Sequence, residues 1–163
     1  MKLWLAIPML ALLTAMQTSL APSLDIGGAR PQLVLVFVIC WAVVRGEAEA
    51  LPWAIFGGLL LDLLSSLPTG AHLVALCLVA FGADLGHRFL HGSNLLFAVV
   101  AVLLGSVAYG GLLLLLSGYA PHRDLATAAL SHQVLPGAVY NLALMFPVLA
   151  LLRAFDRRFP RPL

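Results

Sequence analysis

Asp62 is the residue whose type and position most strongly suggest chemistry. It lies within residues 57–64, and all the remaining residues of that segment are glycine or leucine. An ionisable side chain deep in a membrane-spanning helix costs on the order of 3 kcal/mol unless it faces other helices or is neutralised. Two interpretations therefore stand side by side. Asp62 serves a proton, a substrate or a partner, or it is a buried polar group that fixes helix packing.

A second group of ionisable residues follows at Asp84, His87, Arg88 and His91. The spacing of Asp84, His87 and His91 would allow a shared metal on one helix face, but Arg88 places a cation among them and no fourth ligand is evident. An i, i+4 pair of Asp84 with Arg88 explains both charges. The sequence has no GxSxG, HExxH or P-loop motif. We therefore expect no catalytic residue, no metal and no cofactor, and a protein that is not an enzyme.

The composition indicates which elements must position these side chains. Of the 163 residues, 62% are hydrophobic and 10% are charged, and the mean hydropathy is +1.03. A soluble domain could not cover that much apolar surface, whereas a lipid bilayer can. The sequence predicts an all-α membrane bundle forming one domain over 1–163, with spanning helices at about 2–21, 31–45, 48–67, 71–90, 95–117 and 134–154. A short interfacial helix is predicted within 120–133.

Several polar residues fall at similar predicted depths in these helices. Counting from the helix ends places them in the half of the membrane where the second, fourth and sixth helices begin. We expect a polar layer there, serving either a partner or the packing of the bundle, and consisting of Gln17, Asp62, His72, Tyr109, Tyr140 and Asn141.

Small residues at i, i+4 spacing predict close contacts between helices. The sequence has three such pairs, and Gly70 in the turn after Pro68 is added to the same packing set. The full set is Ala54 with Gly58, Gly82 with Gly86, Ser106 with Gly110, and Gly70.

The distribution of Lys and Arg predicts the orientation. Basic residues concentrate on the cytoplasmic side of membrane proteins. With six spans, one side holds only Arg30 and Arg123. The other side holds seven basic residues and both chain ends, so we expect both termini in the cytoplasm. The seven are Lys2, Arg45, Arg88, Arg153, Arg157, Arg158 and Arg161.

Two landmarks in the sequence resemble the rod shape-determining protein MreD family. The first is the segment 17–22, Gln-Thr-Ser-Leu-Ala-Pro, followed by Gly27-Gly28 and by Arg30-Pro31 at the start of a hydrophobic helix. Gln32 stands where the family commonly has an acid, which is a departure. The second landmark is the segment 58–62, Gly-Leu-Leu-Leu-Asp, with Pro-Thr-Gly at 68–70. Together with chain length and helix count, the resemblance extends over nearly the whole chain.

The resemblance implies a fold similar to the substrate-binding S component of energy-coupling-factor transporters. It also implies a non-enzymatic multi-pass subunit of the bacterial elongation machinery, or Rod complex, in the cytoplasmic (inner) membrane. The implied partners are MreC and, beyond it, RodA, a class B penicillin-binding transpeptidase and MreB. Separately, the sequence has no basic stripe interleaved with aromatic residues, so we expect no nucleic-acid partner. Two hypotheses remain at this point: a scaffold that binds MreC and supports peptidoglycan synthesis and rod shape, and a vitamin transporter's S component.

Overall fold

A computed structural model describes residues 3–20, 30–65, 67–90, 95–117 and 127–158. This part of the chain is helical and contains no strand, which confirms the all-α prediction. The helices, in chain order, are α1 (Leu3–Leu20), α2 (Leu33–Arg45), α3 (Glu47–Leu64), α4 (Ala71–Leu90), α5 (Leu95–Leu116) and α6 (Thr127–Arg158).

The short helix α2 is the centre of the bundle. Its residues 34–43 are all buried, and it contacts each of the other five described helices. A helix that is apolar on every face is stable only where every face is covered. The sequence of α2 meets this condition, because residues 33–44 are all hydrophobic. The other helices pack around α2.

The outer surface of the bundle is apolar. Leucines on four helices are 62–72% exposed, among them Leu12, Leu63, Leu104 and Leu151. Within the described residues, α5 and α6 are long and apolar enough to cross a membrane, with mean hydropathy 2.4 and 1.8. An apolar exterior of this kind is typical of a membrane protein. The number of six spans stays a prediction.

Contacts between neighbouring helices define two ends of the bundle. Where α1, α3 and α5 end, α2, α4 and α6 begin, as the contacts of Asp62 with His72 and of Gly110 with Val134 show. We call this the capped end. At the opposite end α2 and α6 finish and α3 begins, and Arg45 forms ion pairs there with Glu49 on α3 and Asp156 on α6.

The last helix starts earlier than predicted. It begins at Thr127 rather than near 134, and its second turn, Leu130–Val134, is a wider π-helical turn. Pro136 follows two residues after this turn ends; its ring has no N–H and would crowd the carbonyl four residues earlier in a regular α-helix. The widened turn relieves that crowding. Residues 127–133 of the predicted interfacial helix are therefore the start of α6, and 120–126 lie outside the described residues.

Candidate functional site

The carboxylate of Asp62 lies at the first turn of α4. Its Oδ1 accepts a hydrogen bond from the backbone N–H of His72 at 2.9 Å, and its Oδ2 accepts one from Leu73 at 3.2 Å. Asp62 is only 5% exposed. The first N–H groups of a helix have no partner within it and carry the positive end of its dipole, so a carboxylate is stabilised there. Asp62 on α3 therefore caps α4.

The remaining N–H groups of this turn also have partners. Ala71 donates to the carbonyl of Pro68 at 3.1 Å, and Val74 donates to the carbonyl of Gly70 at 2.9 Å. Gly70 has a φ of 97°, a left-handed conformation that glycine adopts at little cost. A Cβ added at Gly70 would meet nothing within 4 Å. Gly70 thus shapes the turn, and the helix-packing role predicted for it stays a prediction.

The close approach of α3 to α4 brings the Asp62 carboxylate within hydrogen-bond distance of the α4 backbone. A Cβ added at Gly58 would lie 2.5 Å from the Cα of Leu73 and 2.9 Å from its backbone nitrogen. Since both are backbone atoms, no rotation of a side chain could make room. Gly58 and Asp62 are four residues apart and share one face of α3. The glycine sets the distance at which the carboxylate reaches the N–H groups.

A buried hydrogen bond continues this cluster to α5. The Nδ1 of His72 lies 2.6 Å from the hydroxyl oxygen of Tyr109, which is 1% exposed. Asp62 binds the backbone of His72 while Tyr109 binds its side chain. The three residues therefore join α3, α4 and α5 at the capped end.

The start of α2 is held in a similar way by two other helices. The Oε1 of Gln17 on α1 accepts a hydrogen bond from the N–H of Val34 at 3.0 Å. The Oδ1 of Asn141 on α6 accepts one from the N–H of Gln32 at 2.9 Å. The Nδ2 of Asn141 donates to the Oε1 of Gln32 and to the Oγ of Ser106, both at 3.0 Å. Side chains of α1, α5 and α6 thus converge on the first turn of α2.

At the capped end, five of the six residues of the predicted polar layer take part in hydrogen bonds that join helices. They form two clusters, one around the start of α4 and one around the start of α2. Tyr140 is half-buried and makes no hydrogen bond within the described part of the chain. We call the hydrogen-bonded side chains the capping layer; it consists of Gln17, Gln32, Asp62, His72, Ser106, Tyr109 and Asn141.

Two members of the capping layer, Gln32 and Ser106, were not among the predicted polar residues. Gln32 stood out in the sequence only as a departure from a family pattern, and Ser106 only as a small residue. A signal for them did exist, because the amide of Asn141 within an apolar helix requires partners. Sequence alone does not show which polar residues of other helices supply them.

A second buried polar group, at the opposite end, was also missed. The Nε of Arg45 lies 2.9 Å from Asp156 Oδ1, and its NH1 lies 3.2 Å from Glu49 Oε2. The guanidinium carbon lies 5.6 Å from the ring centres of Trp41 and of Phe155. The Arg45 side chain is 8% exposed. In the sequence, Arg45 is informative only as a charge that predicts orientation, whereas in the structure it joins α2, α3 and α6.

The predicted packing residues differ in what surrounds them. Ala54 is fully buried, and a Cβ added at Gly110 would lie 2.7 Å from a methyl carbon of Val134 at the π-helical turn. Gly82 is exposed, with nothing within 4 Å of an added Cβ. An added side chain at Gly82 would therefore have room, and the packing role predicted for Gly82 stays a prediction. The surroundings of Gly86 lie outside the described residues.

The arrangement is suited to joining helices. Both carboxylate oxygens of Asp62 accept backbone N–H groups, and both polar atoms of the Asn141 amide have partners. Among the described residues, no group of three or more His, Cys, Asp or Glu side chains could hold a metal ion. The side chains of the group Asp84, His87, Arg88 and His91 lie outside the described residues.

The comparison with protein families identifies the chain. Residues 1–155 match the model described as rod shape-determining protein MreD. The chain belongs to the MreD family. This confirms the resemblance stated from the two sequence landmarks, and it makes the chain a rod shape-determining membrane protein. Comparison with curated proteins and with solved structures gives no match.

Proposed function

We propose that this protein is a non-enzymatic membrane subunit of the bacterial Rod complex that binds MreC and helps to organise peptidoglycan synthesis. The observation that carries the proposal is the MreD family match over residues 1–155. The capping layer supports it, because its side chains bind helix starts and one another. A scaffold requires a rigid bundle, and buried, satisfied polar groups give a bundle one defined arrangement.

We further propose six membrane spans in the bacterial inner membrane, with both termini in the cytoplasm. The charges at the two ends of the bundle support this orientation. Arg30 lies at the capped end, while Arg45, Arg153 and Arg157 lie at the other end, where α2 and α6 finish. Under the positive-inside rule the capped end faces the periplasm. That end would then be on the same side of the membrane as peptidoglycan.

The proposed primary partner is MreC. RodA, a class B penicillin-binding transpeptidase and MreB would be reached in the same assembly. The family match supports a place in the shape-determining system. The apolar outer surface, with Leu104 and Leu151 exposed, offers lipid-facing area on which a partner's membrane helix could pack.

Co-purification tests this proposal. The tagged protein would be co-expressed with MreC, solubilised in a mild detergent and passed over a size-exclusion column. We expect a stable complex of fixed stoichiometry. Recovery of a folded protein without MreC, carrying a bound vitamin instead, would contradict the scaffold.

The alternative function is that of a vitamin transporter's S component. One observation favours it: a cavity of about 360 Å³ opens at the capped end, lined in part by Gln17, His72 and Tyr109. Uptake measured in cells distinguishes the two. A transporter component would support vitamin uptake when co-expressed with a coupling ATPase, whereas a scaffold would not and would instead be needed for rod shape.

A further inference from the structure

The second half of α6 has a face that is exposed and apolar. We call it the α6 lipid face; it consists of Phe146, Pro147, Ala150, Leu151 and Ala154, all of them exposed. At about 100° per residue these five positions fall within one side of the helix. In a bilayer, acyl chains lie along a face of this kind.

This apolar face ends at two exposed arginines, Arg157 and Arg158, in the last turn of the helix. Arg157 follows Ala150 by seven residues and Arg158 follows Leu151 by seven, so each arginine continues a row of the α6 lipid face. Seven residues advance the helix by about 10 Å. The headgroup layer on each side of the hydrocarbon core is roughly 5–7 Å deep. If Leu151 contacts acyl chains, the two guanidinium groups therefore lie at the level of the lipid phosphates.

The acid of the same helical turn is directed away from these arginines. The Oδ1 of Asp156 lies 2.9 Å from the Nε of Arg45 on α2. Neither Arg157 nor Arg158 forms an ion pair within the part of the chain that the structure describes. Both guanidinium groups are thus available to a ligand on the outside of the bundle.

The charge balance at this end of the bundle favours an anion. By sequence position, seven basic residues and four acids belong to the end opposite the capped end. Two of these acids, Glu49 and Asp156, are already paired with Arg45. The segments 91–94 and 159–163, which lie outside the described residues at this end, contain no acid. An excess of positive charge beside the membrane attracts anionic lipids.

We propose that the α6 lipid face binds an anionic phospholipid, whose acyl chains lie along Ala150 and Leu151 and whose phosphate is held by Arg157 and Arg158. Charge complementarity identifies the occupant. A guanidinium group pairs with phosphate through two parallel hydrogen bonds, and a zwitterionic lipid would bring a cation of its own to the same place. An acidic soluble protein would match the arginines but not the apolar face that leads to them.

This inference goes beyond the proposed function, because it requires a bilayer but neither MreC nor a given orientation. It leaves the exposed surface of α5, around Leu104, to a partner's membrane helix. The bound lipid would hold the end of α6 at the level of the headgroups.

The test measures lipid binding to the purified full-length protein by native mass spectrometry in a phospholipid-free detergent. The probes are phosphatidylglycerol and phosphatidylcholine with identical acyl chains, so that only the headgroup differs. We expect the wild-type protein to prefer phosphatidylglycerol. One arginine near anionic lipid contributes about a fivefold preference, so Arg157→Gln and Arg158→Gln should each lose about that factor. The double variant should bind both lipids equally.

Three controls make the result specific. Replacing both arginines with lysine keeps the charge and should retain most of the preference. Arg30→Gln removes one positive charge at the capped end and should leave the preference unchanged. An excess of soluble glycerol phosphate should not displace phosphatidylglycerol, because it has no acyl chain to lie on the α6 lipid face.

Equal binding of the two lipids by the folded wild-type protein would overturn the proposal and leave the arginines to an acidic protein surface. A preference that persists in the double glutamine variant, or that falls as much in Arg30→Gln as in Arg157→Gln, would overturn it as well. Displacement by glycerol phosphate would show that the site takes a soluble anion rather than a lipid.

Discussion

The carboxylate of Asp62 accepts a hydrogen bond from the backbone N–H of His72 at 2.9 Å. This contact explains why an acid lies in an apolar helix: the carboxylate accepts hydrogen bonds from buried N–H groups at the start of the next helix. Leaving one such group unpaired costs about 1–3 kcal/mol, and more where no water can reach it. Gln17 and Asn141 serve the start of α2 in the same way. Side chains of other helices thus provide the caps that α2 and α4 lack locally.

Replacing Asp62 should therefore destabilise the bundle, and the loss should be larger when fewer acceptor oxygens remain at this position. Asp62→Leu leaves two buried N–H groups unpaired and should lower the free energy of unfolding by about 2–4 kcal/mol. Asp62→Asn keeps one acceptor oxygen and should lose about half as much. Unfolding in mixed micelles with increasing sodium dodecyl sulfate measures both.

The control for this pair is Leu63→Ala, at the neighbouring exposed position on α3, which should change stability by about 0.5 kcal/mol or less. Equal losses for Asp62→Asn and Asp62→Leu would show that the charge of Asp62, rather than its acceptor oxygens, is what matters.

Two glycines predicted from the same spacing pattern should respond differently to alanine. At Gly58 an added Cβ would lie 2.5 Å from the backbone of Leu73, so Gly58→Ala should separate α3 from α4 and cost about 1–3 kcal/mol. At Gly82 nothing lies within 4 Å, so Gly82→Ala should be neutral or should stabilise α4 by up to about 1 kcal/mol. Thermal unfolding of both variants measures the contrast. Equal shifts in the two midpoints would argue against the close approach at Gly58.

The contact between Asn141 and Ser106 should appear as a coupling energy. Asn141→Ala removes the backbone partner of Gln32 as well, so it should destabilise more than Ser106→Ala. In a double-mutant cycle the pair should couple by about 0.5–1.5 kcal/mol. Strictly additive effects would mean that the 3.0 Å hydrogen bond contributes nothing to stability.

Arg45 should contribute more to stability than an exposed arginine of the same end. Arg45→Met keeps much of the apolar stem but removes the partner of Asp156 and the cation over Trp41. Because Asp156 and Glu49 are partly exposed, solvent screens these pairs, and we expect a loss of about 1–2 kcal/mol. Arg157→Met serves as the control in the same unfolding measurement. A loss for Arg45→Met no larger than that of the control would contradict the joining role assigned to Arg45.

The sequence alone was sufficient to predict an all-helical bundle, and it located Asp62, His72 and Tyr109 at similar depths. Depth follows from counting residues along a helix, because each residue advances by a fixed rise. The lateral arrangement of helices does not follow from counting. The sequence therefore could not show that Asp62 faces the backbone of α4, or that Gln32 completes the contacts of Asn141.

The same reason accounts for the residues whose surroundings the sequence did not show. Gly58 and Gly82 fit the same small-residue spacing in the sequence. The structure distinguishes them, because the backbone of α4 lies against Gly58 whereas nothing lies within 4 Å of a Cβ added at Gly82. Gly70 belongs to a turn whose positive φ depends on the local chain path. The early start of α6 depends on the π-helical turn before Pro136, which a search for regular helical periodicity does not detect.

The most direct test of the account is hydrogen exchange at individual amides, measured by NMR in detergent micelles. In the wild-type protein the amides of His72 and Leu73 should exchange slowly although they lie in the first turn of α4. Asp62→Leu should speed exchange at these two amides while leaving Val34 protected, and Gln17→Leu should do the reverse. Unchanged protection of His72 and Leu73 in a folded Asp62→Leu protein would contradict the assignment of Asp62 as the cap of α4.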